Sequence, residues 1–430
     1  MATLETPARI RDLQRALYRR AKHDSRFRAF ALYDKVYRPD VLAYAYALAR
    51  ANGGAPGPDG TTFVALEADG GAGMLEELRD ALKTKTYRPG PVRRVYIPKL
   101  NGGERPLGIP NIRDRVVQTA VKLLLEPLFE ADFEPDSFGF RPRRSAHDAL
   151  DAIQAAMEHG MCWVIDADVT AYFDSIPHDR LMKTVAQRVV DRAMLALVKR
   201  FLEAPILDDR EGRRPRRPRE GTPQGGVISP LLANVYLHLM DRNFRRRVAR
   251  GALEGRLIRY ADDFVVLTPR RPDREWRWVH DFLRRLGLQL HPEKTRMVDA
   301  RRVAFAFLGH THRWQFGRVY LDVSPKTLGR IRAELRRRTH HTTRGLDAVL
   351  ADVNAYTRGA RHYFRRVRRR TLSKLDYFVE LRLARWWARK HGRYRPTWSL
   401  VSGAVLRRAH RLEPWNLPVA LRPADARFGR

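Results

Sequence analysis

Apolar residues recur at helical spacing near the start of the chain, where Ile10, Leu13 and Leu17 sit beside Arg11, Arg15, Arg19 and Arg20. This periodicity predicts basic amphipathic helices, and Gly53-Gly54-Ala55-Pro56-Gly57-Pro58-Asp59-Gly60 ends them in a loop. From Tyr87 to Pro110 the pattern becomes strand-like. Val92, Val95 and Ile97 lie among arginines, and Lys99-Leu100-Asn101-Gly102-Gly103-Glu104-Arg105 turns the chain before Leu107-Gly108-Ile109, so a hairpin with a basic tip is expected. Val117, Val121, Leu124, Leu125 and Leu128 then mark a helix. Met161 to Asp168 is a short apolar strand closing in carboxylates, and Leu181, Val185, Val189, Leu197 and Phe201 predict one helical side over Asp179 to Phe201.

Leu257-Ile258-Arg259-Tyr260 and Phe264-Val265-Val266-Leu267 are two strand-like runs around Ala261-Asp262-Asp263, a hairpin with acids at its bend. Ser229-Pro230 and Ser324-Pro325 read as helix starts, an N-cap followed by proline at the first helical position. After the second, the chain reads as helices to about His391.

The formal net charge of +35 points to a polyanionic partner, since small acidic metabolites do not neutralise such an excess. Cys162, the single cysteine, lies in an apolar run and is expected in the core, so neither an internal disulfide nor a thiolate-rich zinc site is available. Without an apolar h-region or a long apolar stretch, the expectation is no membrane span and a cytoplasmic location, associated with the nucleoid or a ribonucleoprotein.

Phosphoryl transfer onto a hydroxyl uses two divalent ions about 3.5–4 Å apart, held by carboxylates gathered at one point. Gathering carboxylates is unfavourable by itself, because two unit charges 4 Å apart repel by about 4 kcal/mol at an effective dielectric near 20. Acids at strand ends therefore imply a cation. Asp166 and Asp168 close one strand and Asp262-Asp263 occupy the hairpin bend; Asp166 is read as a strand-end residue and not as a ligand.

Tyr260-Ala261-Asp262-Asp263 resembles the signature of reverse transcriptases, and further blocks follow that family's order. Asp168-Val169-Thr170-Ala171-Tyr172-Phe173-Asp174 resembles the first palm carboxylate block, and Gly221-Thr222-Pro223-Gln224-Gly225-Gly226-Val227-Ile228-Ser229-Pro230 the one after it. Leu288-Gln289-Leu290-His291-Pro292-Glu293-Lys294-Thr295 and Phe307-Leu308-Gly309 resemble later palm and primer-side blocks. Pro58-Asp59-Gly60, Ile97-Pro98-Lys99, Arg105-Pro106-Leu107-Gly108-Ile109-Pro110 and Ser137-Phe138-Gly139-Phe140-Arg141-Pro142 resemble the fingers of group II intron-encoded reverse transcriptases. The aromatic and arginine-rich stretch from Val353 to His391 is similar to their thumb or maturase region, where rings stack on bases and charges hold phosphates.

The resemblance implies an α+β right-hand polymerase: a basic N-terminal extension over 1–56, fingers and palm with an antiparallel sheet over 57–322, a helical thumb/maturase domain over 323–392 and a short basic segment over 393–430. With a short stretch after His391 and a single cysteine, it resembles the endonuclease-lacking class, and no endonuclease domain is expected. Asp168, Asp262 and Asp263 would be catalytic and, with Val169, would hold two Mg2+ ions, with Mn2+ as a substitute. Phe173 would lie beneath the incoming sugar and hinder a ribose 2′-hydroxyl, while Asp174, Gln224 and Gly225 line the nucleotide pocket and Lys99 and Arg105 reach the triphosphate. Arg141, Lys294, Gly309, Arg361, Tyr363, Arg365, Arg366 and Arg369 would contact nucleic acid.

The partners implied are group II intron RNA, an RNA template with a DNA primer, dNTPs and target DNA, for a monomer or a homodimer acting also as splicing maturase and retrohoming factor. Two other readings stand beside this one: a domesticated reverse transcriptase of phage defence, DNA repair or a CRISPR locus, and a non-catalytic RNA chaperone.

Overall fold

The computed structural model describes residues 4–68, 72–98, 103–210, 214–392 and 412–415. The chain divides into two compact units, Met1–Met297 and Val298–Arg430. The break falls before the 322/323 division expected from sequence because Val323 shares an apolar core with Ile331 and Leu335 of the following helix.

Strands β1 (Val92–Pro98), β2 (Glu104–Ile109), β3 (Trp163–Ala167), β4 (Ile206–Asp208), β5 (Arg256–Tyr260), β6 (Asp263–Thr268) and β7 (Arg296–Asp299) form two sheets, in the orders β2-β1-β4 and β5-β6-β3-β7. The first contains the expected hairpin, β1 antiparallel to β2, whose tip at 99–102 lies outside the described residues. In the second sheet, Val164, Ile165 and Phe264 to Leu267 are fully buried, which explains their unbroken apolar runs. Its register positions the acids. Ala167 of β3 pairs with Phe264 of β6, and Tyr260 pairs with Asp263, so Asp168, one residue past β3, emerges beside the Asp262-Asp263 bend.

The helices Ala8–His23 and Pro39–Asn52 are not an appendage. Ile10, Val41, Leu42 and Ala45 join Val117 and Val121 of helix Ile112–Glu130 in the core of the first unit. The single helix expected over Asp179 to Phe201 is two, His178–Val185 and Arg192–Leu202. Asp191 causes the break: its Oδ1 accepts from the Ala193 and Met194 amides at 3.0 and 3.1 Å, capping the second helix, while Oδ2 accepts from Leu32 and Tyr33 at 2.9 and 2.8 Å. Ser324 caps its helix as expected, accepting from the Thr327 amide. Ser229 does not cap; it is the first residue of helix Ser229–Ala249, preceded by Ile228.

In the second unit, strands β8 (Phe305–Phe307), β9 (His310–Gln315) and β10 (Arg318–Val323) form an antiparallel sheet, followed by helices Pro325–Arg338, Leu346–Tyr363 and Arg369–Lys390. Leu335, Val349, Val353, Leu375, Leu383 and Trp386 bury their apolar faces together.

Two buried carboxylates brace the first unit. Arg259 of β5 is 0% exposed and donates through Nε and Nη2 to Asp241, through Nη1 to Asn234 Oδ1 and the Ala261 carbonyl, and through Nη2 to Ser137 Oγ. Asp114 accepts from the Tyr87 hydroxyl at 2.5 Å and the Gly90 amide at 3.0 Å, fastening the segment that enters β1. Burial raises the Asp114 carboxyl from 3.8 to about 6.

Removing one partner of a buried ion pair leaves the other charge stranded, so Asp241→Ala is expected to lower unfolding free energy by about 3–5 kcal/mol, measured by urea titration. The paired replacement Arg259→Met with Asp241→Leu recovers most of that loss, and equal losses in single and double variants would contradict this role. Asp114 binds its proton more tightly folded than unfolded, so its contribution is full below about pH 4 and is lost as pH rises through about 6, a swing of about 3 kcal/mol. Asp114→Asn should flatten that limb of the stability profile; parallel curves for the two proteins would refute the assignment.

Candidate active site

The hairpin joining β5 to β6 turns through Ala261 and Asp262, and Ala261 has φ +60°. A positive φ at the first turn position alone is the sign pattern of a type II′ hairpin, a conformation that costs an L-residue energy unless its surroundings enforce it. Here they do. The Ala261 carbonyl is held by Arg259, and Gly139 lies directly against the turn, where an added Cβ would stand 2.8 Å from the Tyr260 carbonyl carbon. Phe138 and Arg259 exchange the chain contact that fixes this approach, the Phe138 amide donating to the Arg259 carbonyl at 2.8 Å.

Asp168 is held from the other side by the segment 289–295. Its carbonyl accepts from the His291 amide at 2.8 Å, the Thr170 amide donates to the Gln289 carbonyl at 2.8 Å, and Val169, buried, bridges to Leu290. The Lys294 ammonium donates to Asp168 Oδ2 at 2.6 Å, and Arg296 donates to Asp166 Oδ2 at 3.2 Å.

The acids feel one another. Burial, then Asp262, Asp168 and Asp166, push the Asp263 carboxyl up to about 7, against which Lys294 works. Asp262 is raised by burial and by Asp168, and lowered by Arg105 and Arg259. Asp166 is raised mainly by burial, with Asp168 adding to it and Arg296 opposing. Among the described residues, no three His, Cys, Asp or Glu side chains already form a ready metal-ligand set. The Lys294 ammonium occupies Asp168 Oδ2, so a cation held by this carboxylate would take Oδ1 or compete with Lys294 for Oδ2.

Phe173 sits past Asp168 with its ring edge-on to Tyr172 at 5.6 Å and to Phe140 at 6.3 Å. Tyr172 is anchored by its hydroxyl on the Ala233 carbonyl at 2.6 Å, and Phe140 is half exposed with φ +58°. The Gln224 amide donates to Asp174 Oδ2 at 3.2 Å, and its carbonyl accepts from the Gly108 amide at 2.5 Å. Gly225, at φ +108°, packs on the Gly108 carbonyl, where a side chain has no room. This junction ties the β2 strand to the loop before helix Ser229–Ala249. Arg105 on β2 is exposed, and its charge reaches Asp262. Lys99 lies outside the described residues.

Arg141 requires correction as a nucleic-acid contact. Its side chain is 3% exposed and spends its donors on Glu130 and on the Glu134 and Ser137 carbonyls, so it braces the loop that packs on the β5–β6 hairpin. In the second unit, the Gly309 carbonyl accepts from the Ser324 amide, Arg361 donates to the Pro414 carbonyl at 2.9 Å, and the Tyr363 hydroxyl donates to the Leu308 carbonyl at 2.9 Å. Arg366 and Arg369 are exposed and Arg365 is half-buried.

Arg259, Asp241, Asn234, Gly139 and Phe140 form the support that sequence reading assigned no role. One signal was available, a lone arginine inside an apolar strand next to the acids, since a charge at an inward strand position needs a buried partner.

The family described as Reverse transcriptase (RNA-dependent DNA polymerase) matches residues 97–312, and the Group II intron, maturase-specific domain matches residues 328–402. Protein YkfC of Escherichia coli (strain K12) is 36% identical over 340 residues, covering 70% of this chain and 87% of its own. The Group II intron-encoded protein LtrA of Lactococcus lactis subsp. cremoris is 36% identical over 263 residues, covering 60% of this chain but 40% of its own. The putative COX1/OXI3 intron 1 protein of Saccharomyces cerevisiae is 28% identical over 323 residues, covering 63% of this chain and 38% of its own. With paired acidic elements, a right-hand α+β fold and both sequence families in order, the chain belongs to the reverse transcriptases, the RNA-directed DNA polymerases, of the group II intron-encoded type.

Proposed function

We propose that the chain extends a primer along an RNA template with deoxynucleotides, using two divalent cations held by Asp168, Asp262, Asp263 and the Val169 carbonyl. The observation that carries this reading is the register of β3 against β6, which sets Asp168 beside the Asp262-Asp263 bend, where burial and then the neighbouring acids push the Asp263 carboxyl up to about 7 against the Lys294 ammonium. Oxygen donors of this kind suit Mg2+, with Mn2+ as a substitute. Bound there, the ions would supply activation of the primer hydroxyl and neutralisation of the leaving phosphate oxygens.

The chain's own side chains do the rest. Phe173, edge-on to Tyr172 and Phe140, is the wall against a ribose 2′-hydroxyl. Gln224, Gly225 and Asp174 line the base and sugar, and Arg105 and Lys99 bind the triphosphate, the guanidinium bidentately. Lys294 exchanges Asp168 for a backbone phosphate once the cation site fills. Gly309, Arg361, Tyr363, Arg365, Arg366 and Arg369 form a nucleic-acid surface in the second unit. The maturase-specific match over 328–402 favours intron RNA as its partner, with splicing, target-DNA copying and retrohoming as the biological outcome.

In primer extension on an RNA template, Asp262→Asn should lower dNTP incorporation by about 10²–10³-fold or more without loss of template affinity; equal incorporation by both proteins would remove the catalytic reading. Divalent ions should also raise the unfolding midpoint of the wild type, because they bind only the folded acid cluster. That increment should vanish in the Asp262→Asn, Asp263→Asn double variant, and an undiminished increment would place the ions elsewhere.

A further inference from the structure

Beside the Asn234 and Asp241 side of helix Ser229–Ala249, which braces the hairpin, runs a row of basic side chains. His238, Arg242 and Arg246 recur every four residues and so line one side of it. That side borders a cavity of about 280 Å³, to which Arg188, Thr184, Gln187 and Ser25 also contribute.

The electrical balance of this cavity is unusual. Its lining holds three arginines and one carboxylate, Asp132. Asp132 is already spent on Arg188, whose remaining donors go to the carbonyls of Asp24, Phe27 and Ala21. Arg242 and Arg246 are therefore left without a matching acid in the cavity. The Arg242 Nε is shielded from solvent with no hydrogen-bond partner among the described residues, and so is the His238 Nδ1. A shielded donor without a partner costs about 1–3 kcal/mol, more when charged. Burial lowers the Arg242 pKa, with Arg246 and Arg188 adding to the fall and Asp132 and Glu134 opposing it.

An oxyanion relieves all of this at once: guanidinium groups bind phosphate bidentately, and the Ser25 hydroxyl and Gln187 amide add neutral donors. We propose that this cavity is a phosphate-binding site, separate from the catalytic acids, and that it takes a backbone phosphate of the bound nucleic acid. The protein thereby gains a fixed anchor point on helix Ser229–Ala249 beside Arg242 and Arg246, a function the primer-extension reading does not supply. The site stands whether or not the acids catalyse.

The test compares full-length wild type with Arg242→Ala/Arg246→Ala and with Arg247→Ala/Arg250→Ala, a double variant at the end of the same helix and the residue after it that loses equal charge outside the cavity. Far-ultraviolet circular dichroism and a cooperative urea-unfolding transition verify that both fold. Affinity for a labelled RNA hairpin is measured across a salt series, and inorganic phosphate is titrated against the unfolding midpoint at constant ionic strength. Arg242→Ala/Arg246→Ala should bind the RNA about ten-fold more weakly than the control, with a log–log salt slope shallower by about one to two. It should also lose the phosphate-dependent rise in midpoint. Loss of the phosphate response alone would support the site with free phosphate as its ligand. RNA affinity, salt slope and phosphate response all equal to the control's would overturn it, and if the double variant unfolds, Arg246→Ala against Arg247→Ala gives the same decision.

Discussion

A guanidinium with no exposed surface is unfavourable unless every donor is used, and Arg259 meets that demand by gathering Asp241, Asn234, Ser137 and the Ala261 carbonyl. The consequence is geometric. Helix Ser229–Ala249, the loop at 136–141 and the β5–β6 hairpin are tied to one side chain, and the left-handed Ala261 cannot relax without breaking that bond. Gly139 completes the restraint, because only a residue without a side chain can lie so close to the turn. The acids therefore project from a bend that the protein core holds in tension.

Opposed to this rigidity is the electrostatic cost of the acids themselves. Burial and mutual repulsion raise Asp262 and Asp263, while Lys294 and Arg296 each neutralise one acid on the facing strand end. A site poised in this way is stable enough to fold yet gains from any cation of higher charge density. On the proposed reading, its affinity for an ion would arise from burial and mutual repulsion of the acids.

The acids stood out in the sequence because they end apolar runs, and the register of β3 against β6 brings Asp168 beside the Asp262-Asp263 bend. Strands β1, β2, β3, β5 and β6, the β1–β2 hairpin and the Ser324 cap follow from local pattern, whereas β4, β7 and the β8–β10 sheet went unread. Long-range choices were not legible. Asp191 breaks a helix that periodicity alone continues, because it also bonds Leu32 and Tyr33, far away in sequence. Arg141 resembled a phosphate contact until its partners, Glu130 and two carbonyls, were in view. The basic helices at the start read as an extension, although Ile10 and Val41 belong to the main core, since an amphipathic stripe does not reveal what it packs against.

The central claim is that Asp168 and the Asp262-Asp263 bend share divalent ions within this rigid frame. Anomalous scattering from crystals of the protein grown with Mn2+, template, primer and incoming nucleotide measures it directly. The account predicts manganese density bridging the Asp168 and Asp262 carboxylates, with Lys294 displaced from Asp168. Manganese bound elsewhere, with Lys294 still seated on Asp168 and nucleotide in place, would contradict it.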